Sequence, residues 1–304
     1  MNTNTFVVNE EEEGVRLDKL LAKELPDYSR SYLQRLLKDG LVLVNGKPAK
    51  ASLRVREDDL VDFSIPDRIL PDIEPENIPL DILYEDDDVL VVNKPKGMVV
   101  HPAPGHYTGT LVNAVLYHCG SSLSGINGVM RPGIVHRIDR DTTGSLLICK
   151  NDASHRSIAL QLKDHSIRRR YVAICYGDLK QEDLTICASI GRDHSDRKKM
   201  AVVPDGTGKT AVTHVHVLQH FHGYTYVECR LETGRTHQIR VHMAHIGHPL
   251  LGDAVYAGSR KSPYHLEGQC LHAKTLGFVH PVTKAYIEID APLPEYLTHL
   301  LDIL

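Results

Sequence analysis

Between the apolar runs Gly133-Ile-Val135 and Leu146-Leu-Ile148 the chain places His136-Arg-Ile-Asp-Arg-Asp-Thr-Thr-Gly144. Polar loops with opposed charges that leave one β-rich run and enter another are common settings for function. Of the two acids, Asp141 directly precedes Thr142-Thr143 and suits turn hydrogen bonding. Asp139, two residues closer to the preceding strand, is freer to project. A second charged segment is Glu232-Thr-Gly-Arg-Thr-His-Gln-Ile-Arg-Val-His242. A strand is expected to end near Leu231, Gly234 to turn the chain, and a helix to start near Thr236. First-turn N–H donors beside Arg235 and Arg240 suit a phosphate. For each segment taken alone, a structural ion-pair reading stays open.

Three other patterns carry less. Gly206-Thr-Gly-Lys-Thr210 resembles a phosphate-binding loop, but the first glycine of that pattern would fall at Val203, and a surface hairpin fits better. His242 and His245 have i,i+3 spacing, but Gly247 and Pro249 break the helix around His248, and neither a general-base Glu nor a cysteine accompanies them. Packing and hydrogen bonding are the expected roles, and no metal site is assigned. The six cysteines form no CxxC pair, which fits free thiols in a reducing compartment. Cys149, after an apolar strand, reads as core.

The elements that must position these groups are legible in outline. Leu17, Leu20 and Leu21 fall at helix spacing and the pattern stops at Pro26. Ser29 is placed as the N-cap of a second helix carrying Tyr32, Leu33, Leu36 and Leu37 and closed by Gly40. Leu41-Val-Leu-Val44, the turn Asn45-Gly46 and a strand ending near Phe63 follow. Residues 1–15, with the acidic run Glu10–Glu13, are a lead-in, and 16–65 form a compact α+β module. Over Arg16–Arg56 there are ten Lys/Arg against four acids, an excess of six in a chain of net charge −4. That total excludes coating nucleic acid by bulk charge but not a local basic face. Arg30, Arg35, Lys38 and Lys47 are placed to track a phosphate backbone.

Residues 66–79, with four prolines, read as a linker. Residues 80–304 read as one domain with runs at Val89–Val92, Leu146–Ile148, Tyr171–Cys175, Tyr224–Leu231 and Ala285–Ile289, and helices at Gly109–His118, Ala153–Lys163 and Thr236–His245. Strands that do not alternate one-for-one with helices point to an α+β fold with a mixed or antiparallel sheet and flanking helices. With 304 residues, 42% hydrophobic and 24% charged, the balance is globular. No apolar run approaches the roughly 20 residues of a membrane span, and no signal pattern opens the chain, so the cytoplasm is expected.

Together with Arg169-Arg-Tyr171 and Gly234-Arg-Thr-His-Gln-Ile-Arg240, the stretch His136–Gly144 resembles the RluA family of pseudouridine synthases. Asn93-Lys-Pro-Lys-Gly97 with His101-Pro102, and Gln269-Cys-Leu-His-Ala273 before Phe278-Val-His-Pro281, agree with it. The likeness covers essentially all of residues 80–290. The N-terminal module looks like an S4 RNA-binding domain, and this arrangement, with the stretch 98–110, resembles the RluD-like branch that modifies large-subunit ribosomal RNA. Ile138, Thr143 and Arg169 stand where Leu, Ser and Lys are usual, each keeping shape or charge.

The resemblance implies isomerisation of uridine to pseudouridine, which breaks N1–C1′, turns the base and joins C5 to C1′ without redox change. Neither metal nor other cofactor is expected. It places the catalytic carboxylate at Asp139, attacking the sugar carbon or deprotonating the sugar. It makes Arg235 the ion-pair partner and Tyr171 the residue that stacks on uracil and takes the C5 proton. The base must be flipped out, and His136, Arg137 and Arg140 are expected to hold the splayed backbone, with Arg240 close by. The expected partner is large-subunit ribosomal RNA, free or in an assembling particle, bound by a monomer and without a membrane. Transfer RNA, another ribosomal site, or a non-catalytic role as an RNA-binding ribosome-assembly factor are the alternatives.

Overall fold

A computed structural model of the chain describes all residues except 1, 27, 29, 66–72, 104, 121, 127–131, 194, 195, 197, 198 and 261, and the side chains of the others except 2, 3, 30 and 31. The Ser29 cap, the Arg30 side chain and residues 66–72 of the linker therefore lie outside the described residues. The chain divides into two compact units, Met1–Pro71 and Asp72–Leu304.

The first unit contains β1 (Asn2–Val7), α1 (Leu17–Glu24), α2 (Arg30–Lys38), β2 (Val42–Val44), β3 (Lys47–Pro48) and β4 (Leu60–Ile65). The sheet runs β1-β4-β2-β3 and is antiparallel. Leu17, Leu20 and Leu21 of α1 and Leu33, Leu36 and Leu37 of α2 bury one face of each helix against Val42, Val61 and Phe63, as the 3.6-residue period requires. Asn45, at φ 50, and Gly46 turn β2 into β3 with the two positive φ angles of a tight hairpin.

The expected lead-in is instead a strand. β1 pairs with β4 from Asn2↔Ile65 to Val7↔Leu60. Phe6 and Val8 pack on the core two residues apart, a period too short in sequence to stand out beside the acidic run. That run is not all solvated either, because Glu12 is buried and bound by Lys23 Nζ at 2.8 Å. Arg35, Lys38 and Lys47 stay exposed. The Arg35 guanidinium lies 5.6 Å from the Tyr32 ring centre, and Tyr32 stacks on Tyr28.

In the second unit the strands are β5 (Ile82–Glu85), β6 (Val89–Lys94), β7 (Thr143–Cys149), β8 (Arg168–Tyr176), β9 (Asp183–Cys187), β10 (Ile190–Arg192), β11 (Met200–Val202), β12 (Val212–Phe221), β13 (Tyr224–Leu231), β14 (Leu271–Val279) and β15 (Tyr286–Asp290). The helices are α3 (Leu111–Cys119), α4 (Asp152–Lys163), α5 (Gln238–His245) and α6 (Glu295–Ile303). The large sheet follows the order β5-β6-β7-β14-β8-β13-β12-β9, with β15 on β14 and β10-β11 as a separate ribbon. Only β7 and β14 pair in parallel among these strands, so the sheet is mixed and the α+β expectation holds.

Burial explains the sequence patterns. β7 is buried at every residue because both faces are covered, by Leu111, Val112 and Val115 on one side and Ile158 and Phe278 on the other. β12 alternates, with Thr213, Val215 and Val217 inside and His214 and His216 outward. Gly144 lets β7 lie on β14, since a Cβ there would stand 2.3 Å from Ala273 O. Gly206–Thr210 leads into β12 rather than a helix, but it joins β11 of the small ribbon to β12 of the large sheet and so is not the hairpin expected. Among the described residues, no helix is long and apolar enough to cross a membrane.

Candidate active site

The loop before β7 is held from three sides. Lys94, fully buried at the end of β6, donates from Nζ to Arg140 O (2.8 Å), Pro95 O (2.8 Å) and Met98 O (2.9 Å). Ile138 anchors the loop in the core. The His136 ring turns inward and accepts from Leu147 N at 3.0 Å. Thr142 N closes a turn on Asp139 O at 3.1 Å, and Gln269 Nε2 donates to Thr142 Oγ1 at 3.0 Å. Asp139 is left projecting, 18% exposed, into a cavity of about 370 Å³, within the usual range for small-molecule sites.

Asp139 is the one carboxylate among the described residues that line this cavity, which also include Arg137, Arg169, Tyr171, Arg235, His237 and Arg240. Its cation is Arg240, whose Nη1 donates to Asp139 Oδ2 at 2.9 Å. The same guanidinium is bidentate to buried Asp253, at 2.7 Å from Nε to Oδ2 and 2.9 Å from Nη2 to Oδ1. Asp253 also accepts from Val255 N and Tyr256 N, and Arg240 lies over the Tyr256 ring. Hydrogen bonds to both carboxylates push the Arg240 pKa up despite desolvation by burial, the largest single influence.

This corrects two expectations. The ion pair assigned to Arg235 belongs to Arg240, and Arg240, 7% exposed, is spent on carboxylates rather than free for RNA. The helix starts at Gln238, two residues later than expected, which puts Arg240 in its first turn. Arg235, before the helix, instead donates from Nε to Thr210 O at 3.0 Å. Gln238 locks this segment. Its Oε1 accepts from Thr233 Oγ1 and Arg235 N, and its Nε2 donates to Val212 O and Thr213 Oγ1.

His237 takes a left-handed conformation, φ 56, a sparsely populated region for such a residue. Its Nδ1 meets Tyr256 Oη at 2.8 Å, while that oxygen accepts from Met200 N. Nε2 then faces Asp139 Oδ1 at 3.8 Å. Tyr171, on β8, is buried in the same cavity. Burial raises its pKa, with Arg169 opposing and Asp139 assisting. Asp141 binds Arg140 through both oxygens, at 2.9 and 3.1 Å, where turn hydrogen bonding was expected. Arg137 and Arg140 are exposed, and His136, half-buried, lines the cavity while its Nε2 braces its own loop.

His242 bonds Thr213 Oγ1 and Ala188 O, and His248 bonds Tyr176 O, so these histidines face separate partners as the packing reading expects. Among the described residues, Asp86, Asp88 and His280 lie close enough to hold a metal. Yet His280 Nδ1 accepts from Val282 N and Thr283 N, so Nε2 carries the proton it gives Asp86. The six cysteines are free, four of them buried.

Burial pushes His136 down to about 3 and His272 to about 4, from an ordinary 6.5. Both stay neutral in the folded chain while the unfolded chain takes up protons below pH 6.5. Stability is therefore full above that value and falls as pH drops from 6.5 toward 4. The melting temperature of His136→Gln, whose amide oxygen can still accept from Leu147 N without titrating, is expected to fall less steeply over that window. An equal slope in the two proteins would contradict the assignment.

Residues 88–245 match the family model for RNA pseudouridylate synthase, and residues 15–61 match the S4 domain. The chain is 53% identical over 302 residues to "Uncharacterized RNA pseudouridine synthase YlyB" of Bacillus subtilis (strain 168), covering 99% of this chain and 98% of that protein. It is 46% identical over 313 residues to "Ribosomal large subunit pseudouridine synthase D" of Zymomonas mobilis, covering 100% and 98%. The structure resembles "Human RNA Pseudouridylate Synthase Domain Containing 1" at TM-score 0.59 and 26% identity, over 72% of this chain and 85% of that one. The chain belongs to the RNA pseudouridine synthase family and carries an S4 domain ahead of its catalytic unit.

Proposed function

We propose that this RNA pseudouridine synthase isomerises uridines of large-subunit ribosomal RNA in the cytoplasm, using Asp139 and neither metal nor other cofactor. The observation that carries the reading is the single carboxylate among the described lining residues of the cavity, held by Arg240 and sharing that cavity with Arg137, Arg169, Arg235, Tyr171 and several aliphatic side chains. A flipped uridine would present its sugar to Asp139. N1–C1′ breaks, the base turns, C5–C1′ forms, the C5 proton leaves and N1 gains one. An anion beside C1′ suits either direct attack or deprotonation of the sugar. Tyr171, which lines the cavity, is read as stacking on the base and taking the C5 proton. Arg240 orients Asp139, which Arg235 does not.

The choice of RNA rests on the relative named for the large ribosomal subunit and on the S4 domain, where Arg35, Lys38 and Lys47 are exposed. Purified protein, in chelator and without added nucleotide, is expected to release tritium from [5-³H]uridine-labelled large-subunit transcript but not from transfer RNA. Release from transfer RNA alone would overturn the substrate assignment, and dependence on added metal would overturn the cofactor-free reading. Deleting residues 1–71 is expected to weaken binding to the transcript and flatten its salt dependence. An unchanged slope would show that the S4 unit is not the RNA handle.

A further inference from the structure

The cavity holds a buried charge that no carboxylate among the described residues pairs with. Arg169 lies two residues before Tyr171 on β8, on the same face of the strand, and is only 7% exposed. Its Nη2 donates to Glu232 O at 2.9 Å, while its buried Nε has no hydrogen-bond partner. Among the described residues no carboxylate pairs with it. The chain even makes room for the group. A Cβ at Gly234 would stand 2.6 Å from Arg169 Nη1, and Gly234 is absent from the positive-φ glycines, so space rather than backbone freedom calls for glycine there.

A buried guanidinium with an unmet donor and no anion is costly in a free protein. The cost is compounded by Arg235, whose charge works against that of Arg169. Arg235 also has no carboxylate partner among the described residues, and both line the cavity that holds Asp139. Arg240 makes the contrast, being met by two carboxylates. A structural arginine would be expected to be neutralised in the same way.

We propose that Arg169 and Arg235 form the seat of one phosphodiester group of the RNA strand beside the flipped nucleotide, so that the substrate supplies the counter-ion the fold omits. This rests on the reading that the cavity receives a nucleotide of RNA, whose backbone anion is the phosphate. A guanidinium presents paired N–H donors to phosphate oxygens, and desolvation around Arg169 strengthens that contact once made.

The test compares wild type, Arg169→Met and Arg169→Lys by filter binding to in vitro transcribed large-subunit RNA over a salt series, with thermal unfolding of the free proteins. Arg169→Met is expected to bind about tenfold more weakly at 0.1 M salt and to lower the slope of log affinity against log salt by about one. Its melting temperature should equal or exceed that of wild type, because an uncompensated buried charge has gone. Arg169→Lys should keep the slope. An unchanged slope in Arg169→Met, or a variant that melts well below wild type or fails to fold, would overturn the proposal by making the guanidinium structural. Binding is read without turnover. A wild-type protein that binds with the expected slope difference but isomerises nothing would therefore count against the enzymatic reading and leave the phosphate seat standing.

Discussion

Asp139→Asn is expected to abolish pseudouridine formation, by at least about a thousandfold in turnover, while RNA binding stays close to that of wild type. Asparagine keeps the shape and an oxygen that can accept from Arg240 Nη1 but removes the anion. It cannot attack or deprotonate the sugar. The substitution should cost little stability, because Arg240 keeps its bidentate contact with Asp253. Loss of turnover with retained affinity and melting temperature separates a catalytic role from a structural one. Substantial turnover by this variant would sink the assignment.

Arg240→Met is expected to damage both stability and activity. Asp253 is fully buried on its side chain and would keep only the N–H groups of Val255 and Tyr256. Asp139 would lose its 2.9 Å partner. Removing one member of a buried ionic group costs about 3–5 kcal/mol, which in a protein of this size lowers the melting temperature by on the order of 10 °C. Turnover should fall at least about a hundredfold, since the carboxylate is no longer oriented. Arg240→Lys should not restore it, because one ammonium cannot give paired donors to Asp253 and also reach Asp139. Arg235→Met should melt close to wild type, its partly exposed guanidinium bonding only a carbonyl in the described contacts. A wild-type melting temperature for Arg240→Met would contradict the shared-cation geometry.

Much of this site is legible in the sequence because local chemistry marks it. Asp139 stands out from Asp141 by its place in a loop entering a buried strand, and the helix carrying Arg240 is signalled by the turn at Gly234. The choice between Arg235 and Arg240 turns on where that helix begins. Capping by His237 at positive φ is a backbone feature that residue types do not announce. Asp253 and Tyr256 lie in an irregular segment between α5 and β14, so no spacing rule ties them to Arg240. Lys94 sits in a motif visible in the sequence, but its role depends on three carbonyls converging from two segments, one of them 46 residues away. In the fold, β6, β8 and β13 follow from apolar runs. β1 does not, because Phe6 and Val8, the latter just past the strand, are too few to make a pattern, and α6 follows a β-rich stretch with no helix signal read there.

The most direct measurement is a map of pseudouridines in large-subunit ribosomal RNA from cells carrying wild-type or Asp139→Asn protein in place of the native copy. The account predicts one or more positions that are pseudouridine with wild type and unmodified uridine with the variant, at equal protein levels. Identical maps for the two strains would contradict it.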